Sequence, residues 1–375
     1  MKAFCIKVAL MAALIGLLGC GVLKKRKDLP PMISQVALEE SVQQGVESRA
    51  LTLGHWPSAA WWEMFGDDQL AQLMKRALED NPDLKRAIAR VQGAREHAKE
   101  VRSALLPHLS AFFKDDYQHL SKDSLYRFPP SKVPAVVNQV FLGLSFDYEI
   151  DLFGKNRAKY RAALGEFKAQ RAEMAQAFLM ITIAFAEAYF TYQTHLLHIE
   201  LRKKEVEERK ELFELTERRV AFGLDDVIAL EERHVAWQGA QEKLLSVEKA
   251  LTLSRHQMHA LLGMSPDDPL DLSLPKARFD APFPLPENLP IELVSRRPDL
   301  MAQIWRVEAA ARRVGAAKAA FFPNINLTGL GRLETLSWSL LFSVDSLAGS
   351  LAPALTLPLF TGGQLTAALE KGTTR

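Results

Sequence analysis

Residues 82–107 read PDLKRAIARVQGAREHAKEVRSALLP, and residues 298–323 read PDLMAQIWRVEAAARRVGAAKAAFFP. The two stretches align without a gap at a shift of 216 positions, proline to proline. Asp83/Asp299, Leu84/Leu300, Ile88/Ile304, Arg90/Arg306, Val91/Val307, Ala94/Ala310 and Ala104/Ala320 are identical. The chain therefore carries an internal duplication, and any fold assigned to it must be built from two related halves. In the first copy Leu84, Ile88, Val91, Ala94, Ala98, Val101 and Leu105 fall at steps of three and four. That spacing predicts an amphipathic helix of roughly 24 residues, opened by Pro82 and closed by Pro107. The second copy repeats the plan, with small residues that let helices approach closely.

After each closing proline the apolar period drops from 3.6 to 2. In VFLGLSFDYEIDL, 140–152, the residues Val140, Leu142, Leu144, Phe146, Tyr148, Ile150 and Leu152 share one face. The opposite face is small or acidic apart from Phe141. Thirteen residues at about 3.3 Å each span ~43 Å, enough to cross a bilayer obliquely. A lipid-facing outside and a wet lumen demand such alternation, and so does one strand of a soluble sandwich. Weaker strands are predicted at 109–120, 324–334 and 349–360, the last with Pro353 and Pro358 marking an edge or a bend.

The middle of the chain is helical. From Lys155 to about Ala221 an apolar seam recurs every seven residues: Phe178, Phe185, Tyr192, Ile199, Val206, Phe213, Val220. The return carries Leu230, Trp237, Leu244, Leu251 and Met258 at the same step. Two such seams joined by a tight turn predict an antiparallel coiled coil with much of its girth in water. At the turn Gly223 suits a helix C-cap, and Asp225 or Asp226 the next N-cap. Upstream, 67–79 is predicted as a short helix stopped by Asn81-Pro82.

The N-terminus reads as export. A short basic start and the apolar VALMAALIGLLG, too short to span a bilayer, predict a signal peptide over 1–19. It ends in LLGC, resembling the bacterial lipobox, with Cys20 as lipid attachment site for diacylglycerol and palmitate. Gly21 after that cysteine favours sorting to the outer membrane. Cys5 lies in the segment to be removed, so the mature chain has no disulfide. KKRK, 24–27, would sit beside lipid head groups, and 20–60 reads as a tether. The chain holds 47 basic and 45 acidic residues. From residue 20 onward the charges balance, which gives no electrostatic reason to expect nucleic acid.

No catalytic constellation emerges. His195/His198 and His256/His259 are spaced to share a metal but lack further ligands in sequence. Glu231 and His234 fit half of a di-iron motif whose other half is missing. No cofactor, no metal and no enzymatic activity are expected.

WWEMFGDDQL, NPDL, FDYEIDLFGKNRA, RRPDL, GAAKAAFFPNINLTG and PLFTGGQL, in that order, resemble the outer-membrane efflux protein family. The likeness is to its TolC-like lipoprotein branch, which serves resistance-nodulation-division multidrug pumps. The resemblance implies a homotrimer in which each subunit gives four strands to a twelve-stranded β-barrel and helical hairpins to a periplasmic α-barrel. It implies a passive exit duct, partnered by a periplasmic adaptor and an inner-membrane pump, anchored in outer-membrane lipid. Gly223, Leu224, Asp225 and Asp226 would form the tip where the adaptor docks. The expected layout is a first repeat over 61–285, with strands in 109–152 and hairpin 155–262, and a second over 286–375. Phe153 is followed by a hairpin reaching Leu262, whereas the matching Phe360 is followed by 15 residues. By the resemblance, then, the chain is expected to be C-terminally truncated and impaired in conduction. A lipid-anchored periplasmic adaptor and a non-functional remnant are the competing readings.

Overall fold

The computed structural model describes residues 58–121, 134–270 and 296–373, with shorter stretches at 43–44, 47, 51–54, 56, 272–274, 276–279 and 283–286. In chain order the elements are β1 (Leu51–Gly54), α1 (Asp68–Asp80), α2 (Pro82–Ser103), β2 (His108–His119) and β3 (Val136–Ile150). They continue with α3 (Lys155–Ala221), α4 (Val227–Leu262), β4 (Phe283–Pro286) and α5 (Pro298–Ala319). The chain then runs through β5 (Asn324–Thr335), β6 (Leu347–Thr356) and α6 (Gln364–Thr373). They fall into two compact units, one of Ile33–Gln92 and Gln170–Ala302, the other of Gly93–Ala169 and Gln303–Arg375.

The first unit is helical. It takes in α3 from Gln170 onward, the larger part of that 67-residue helix. Its predicted seam holds: Phe185, Tyr192 and Ile199 are buried, and Phe178, Val206, Phe213 and Val220 half-buried. On α4, Met258 is buried, and Leu230, Trp237, Leu244 and Leu251 are half-buried. Phe213 stacks on Trp237 with ring centroids 5.6 Å apart. At the base of this hairpin α1 is laid against α4, and Leu70, Met74 and Ala77 join Phe185, Tyr189, Met258 and Leu262 in one core. α3 contains a window apolar enough to cross a membrane, and a third of that window is buried. Phe185, Ala186, Ala188 and Tyr189 use that apolarity in a protein core.

Two prolines open α2 and α5, as expected, but their flanks differ. Asn81 is buried, and its Oδ1 accepts from the backbone N–H groups of Asp83 at 2.9 Å and Leu84 at 3.1 Å. Its Nδ2 donates to the Leu261 carbonyl at 2.9 Å, tying the start of α2 to the end of α4. So Asn81 does more than stop α1: it caps the next helix. In the second copy Arg297 holds that position and donates to the Asp299 carboxylate at 2.7 Å, in solvent.

The second unit carries a four-stranded antiparallel sheet in the order β2-β3-β5-β6. The first strand pair and the second thus lie side by side, as a duplicated chain requires. Strand bounds depart from expectation where proline or turn chemistry intervenes. β3 ends at Ile150, so Leu152 lies beyond the strand, and β6 ends at Thr356, ahead of Pro358. Pro353 sits in register with Leu327 on β6, the outer strand of this sheet, where proline is best tolerated. Against α3, α5 places Lys168 Nζ 3.9 Å from the Trp305 ring centroid and Arg313 Nη2 2.5 Å from Glu166.

One expectation needs correcting. The 20–60 segment is not wholly an unpaired tether, because β1 pairs in parallel with β4, Leu51 opposite Phe283 through Gly54 opposite Pro286. A four-residue strand leaves no periodic trace long enough to read. The signal peptide at 1–19 and Cys20 lie outside the described residues.

Candidate functional site

Two surfaces carry the chemistry of position that the sequence pointed to. The first is the hairpin tip. At the end of α3 the Gly223 N–H donates to the Val220 carbonyl at 2.9 Å and the Leu224 N–H to the Arg219 carbonyl at 2.9 Å. This is a Schellman cap, and it needs Gly223 at φ 66°. Of the two acids that could start α4, Asp226 does so, accepting from the Ala229 N–H at 2.7 Å. Asp225 does something else: Arg219 Nε and Nη2 donate to its two carboxylate oxygens at 2.7 and 3.2 Å. That two-pronged hydrogen bond, with the Arg219 charge, holds the Asp225 carboxyl below its usual range and the guanidinium above its own. All four predicted tip residues are therefore brought together in one turn. Sequence reading missed what surrounds them: Phe222, Val227 and Ile228, like the predicted Leu224, are 63–80% exposed. These apolar side chains flank the two adjacent acids in the sequence, but helix periodicity gives a turn no face to assign them to.

The second surface is the sheet. Following the register from strand to strand sorts the side chains into two faces. Leu109, Ala111, Phe113 and Tyr117 of β2 align with Phe146, Leu144, Leu142 and Asn138 of β3. Leu142, Tyr148 and Ile150 align in turn with Leu333, Leu327 and Ile325, and the last three with Leu347, Pro353 and Leu355. Apart from Asp115 and Asn138 near one end, this face is apolar across the sheet, and Leu109, Phe113, Tyr117, Leu144, Ile150, Leu347, Leu351 and Leu355 are 40–74% exposed. The other face carries Lys114 paired with Asp116 at 2.6 Å, and Arg332 paired with Glu334 at 2.7 Å. The Arg332 guanidinium lies 5.1 Å from the centroid of the Phe141 ring. A continuous, exposed apolar sheet face of this extent is wrong for water and right for hydrocarbon. Both outer strands, β2 and β6, keep an unpaired edge in this sheet.

A third feature holds the hairpin base and was not read from the sequence. Asp67 caps α1 through Oδ1, accepting from Gln69 N at 3.0 Å and Leu70 N at 3.2 Å. Its Oδ2 accepts from the Tyr189 hydroxyl at 3.0 Å and the Lys276 N–H at 3.2 Å. Gln69 Nε2 donates to the Tyr189 oxygen at 2.9 Å, and Gln193 Nε2 to the Ser273 carbonyl at 2.8 Å. Burial, with the Asp67 carboxylate as acceptor, pushes the Tyr189 phenol up to about 12. The acids of GDDQL could have signalled a cap; nothing in the sequence could bring Tyr189 to them. Among the described residues no group of three or more His, Cys, Asp or Glu is placed to hold a metal ion.

The comparisons with known proteins agree with this geometry. The outer membrane efflux protein model matches residues 73–264 and 289–375. The fusaric acid resistance protein FusA of Burkholderia cepacia is 30% identical over 365 residues, covering 96% of this chain and 68% of FusA. The multidrug resistance outer membrane protein MdtP of Escherichia coli K12 is 28% identical over 365 residues, 94% of this chain and 72% of MdtP. Among solved structures, the outer membrane protein VceC of Vibrio cholerae superposes with a TM-score of 0.76 at 31% identity, over 85% of this chain and 75% of VceC. Duplicated helix-strand blocks, an amphipathic sheet, a long water-exposed hairpin and these matches lead to one conclusion: the chain belongs to the outer membrane efflux protein family.

Proposed function

We propose that this chain is the outer-membrane channel subunit of a tripartite efflux system, a passive exit duct for small molecules. The observation that carries the reading is the sheet: apolar and exposed on one face, charged on the other, open at both edges. Three copies joined edge to edge would close twelve strands into a barrel with the apolar face in lipid and Lys114, Asp116, Arg332 and Glu334 toward the water-filled axis. The exposed apolar residues of α3, Leu179, Met180 and Ile183, would then meet neighbouring helices of the periplasmic tunnel. A lipid on Cys20 would add a second hold on the outer membrane. At the tip, the apolar ring of Phe222, Leu224, Val227 and Ile228 around the Arg219–Asp225 clasp fits a helical adaptor. Energy would come from an inner-membrane pump, since a duct of this kind needs no cofactor.

The internal repeat supplies a test of the trimer at residue level. Within the chain, Phe153 at the exit of the first strand pair stacks on Phe322 at the entrance of the second, with centroids 4.9 Å apart. The repeat equivalents are Phe360 and Leu106, and both are exposed, at 92% and 55%. Phe360 is expected to pack on Leu106 of the next copy. Cysteines at Leu106 and Phe360 should therefore join subunits into a ladder ending at three in outer-membrane fractions. A soluble periplasmic monomer that never cross-links would sink the reading.

A further inference from the structure

The connection from β5 to β6, residues 336–346, has an arrangement that the channel reading does not use. Five of its six large apolar side chains point out: Leu336, Trp338, Leu340, Phe342 and Val344 are 52–87% exposed, and Leu341 alone is buried. Much of its backbone is bonded within the segment, while the Asp345 side chain stays exposed. The N–H groups of Leu340, Leu341, Ser343 and Ser346 donate to the carbonyls of Ser337, Trp338, Leu340 and Ser343 at 2.9–3.3 Å. Ser337 N–H donates to Thr335 Oγ1 at 3.2 Å and Asp345 N–H to Ser343 Oγ at 3.3 Å. The Ser346 hydroxyl donates to the Leu340 carbonyl at 2.7 Å, and those of Ser337 and Ser339 bond each other at 2.9 Å. Two short 3-10 turns, Trp338–Leu340 and Val344–Ser346, make this economy possible.

A loop for water does the opposite, leaving its backbone to the solvent and hiding its apolar groups. A loop for lipid must satisfy its own N–H and carbonyl groups, because hydrocarbon cannot. The loop also continues a surface already described: the Trp338 ring lies 5.6 Å from that of Phe113, on the apolar face of the sheet. We infer that residues 336–346 lie against the bilayer, with Trp338 and Phe342 seated at the boundary of acyl chains and head groups. The occupant of this surface is lipid. Tryptophan there gains from burying its ring while its indole N–H stays near polar groups. The connection would thus act as a float that fixes how deep the sheet sits.

This inference rests on the proposed membrane insertion of the sheet, and the experiment separates the two. The full chain and its Trp338→Phe variant are reconstituted in phosphatidylcholine vesicles, with and without bromine on the acyl chains near the head group. The difference in emission between the two proteins isolates Trp338 from the other five tryptophans. Leu351→Trp in the Trp338→Phe background reports on the sheet face in the same way. Expected is loss of most Trp338 emission to the brominated lipid and little to aqueous iodide. Iodide quenching of Trp338 while the Leu351→Trp reporter is quenched by bromine overturns the inference and leaves the channel reading standing. Protection of Trp338 from both quenchers, with the sheet reporter in lipid, means protein covers the loop and also overturns it. A sheet reporter quenched by iodide alone overturns the membrane reading itself, and the inference with it.

Discussion

Gly223 and Gly263 end the two helices of one hairpin with the same device and opposite surroundings. Both adopt left-handed φ of 66°, and both sit in Schellman caps. A Cβ added to Gly223 would meet nothing within 4 Å, whereas one added to Gly263 would lie 2.8 Å from the Asp80 carbonyl oxygen. The tip is therefore held by a turn alone, and the base by a turn plus packing. Around Gly263 the chain invests further: the Asn81 bridge to Leu261 and the Asp67–Tyr189 bond join segments 180 and 122 residues apart in sequence. Around Gly223 it leaves apolar side chains bare. One end of the hairpin is finished by its own chain; the other is left for something else to finish.

Substitutions can break that contrast in graded steps. Gly263→Val should cost the most, on the order of 3–4 kcal/mol, from the left-handed penalty plus the clash. Its midpoint in urea, followed by circular dichroism, should fall well below that of Gly223→Val. Equal losses would show that the base is no better packed than the tip. Asp67→Ala comes next, at about 3 kcal/mol, because it removes a helix cap and strands the buried Tyr189 hydroxyl. Tyr189 itself offers a check in alkali. Its folded-state phenol is raised to about 12 from an ordinary value of about 10, so the neutral form stabilises the fold below pH ~10. That contribution is lost as pH rises through about 12, and Tyr189→Phe should flatten the alkaline limb of the stability profile.

Gly223→Val should cost about 1–2 kcal/mol, the left-handed penalty alone, and leave the sheet unaltered. Its larger consequence, under the proposed function, is weaker cross-linking of the tip to an adaptor. The smallest effect belongs to Asp225. Because Arg219 depresses its folded pKa, the clasp is intact above the ordinary carboxylate range and is lost only as pH falls through that lowered value. Asp225→Asn should remove the acid dependence with little change at neutral pH, and added salt should mimic it. Hydrogen exchange at the Leu224 amide would read all three conditions.

The long-range plan was legible where periodicity lasts. The bounds of α3 match the expected Lys155 and Ala221, and the seven-residue seam survives along both helices, because a repeated apolar step has only one helical interpretation. The strands were found to within a few residues, since alternation fixes a face before it fixes an end. What stayed hidden depends on the third dimension. Asn81 reads as the end of α1 until α4 places the Leu261 carbonyl beside it. Tyr189 reads as one more aromatic on an apolar helix until Asp67 reaches it. At the tip, Gly223 and the two acids were identified, but the division of labour between Asp225 and Asp226 required the Arg219 geometry.

The unpaired borders of the sheet have a consequence for the life of the newly made chain. β2 and β6 are long, and each shows a row of vacant backbone donors and acceptors, interrupted in β6 by Pro353, beside exposed leucines and, on β2, exposed Phe113 and Tyr117. Such a border templates whatever strand arrives first, so an unassembled copy is an aggregation nucleus. Dilution, a holding chaperone or immediate delivery to the bilayer must protect it, and synthesis faster than delivery should yield cross-β deposits.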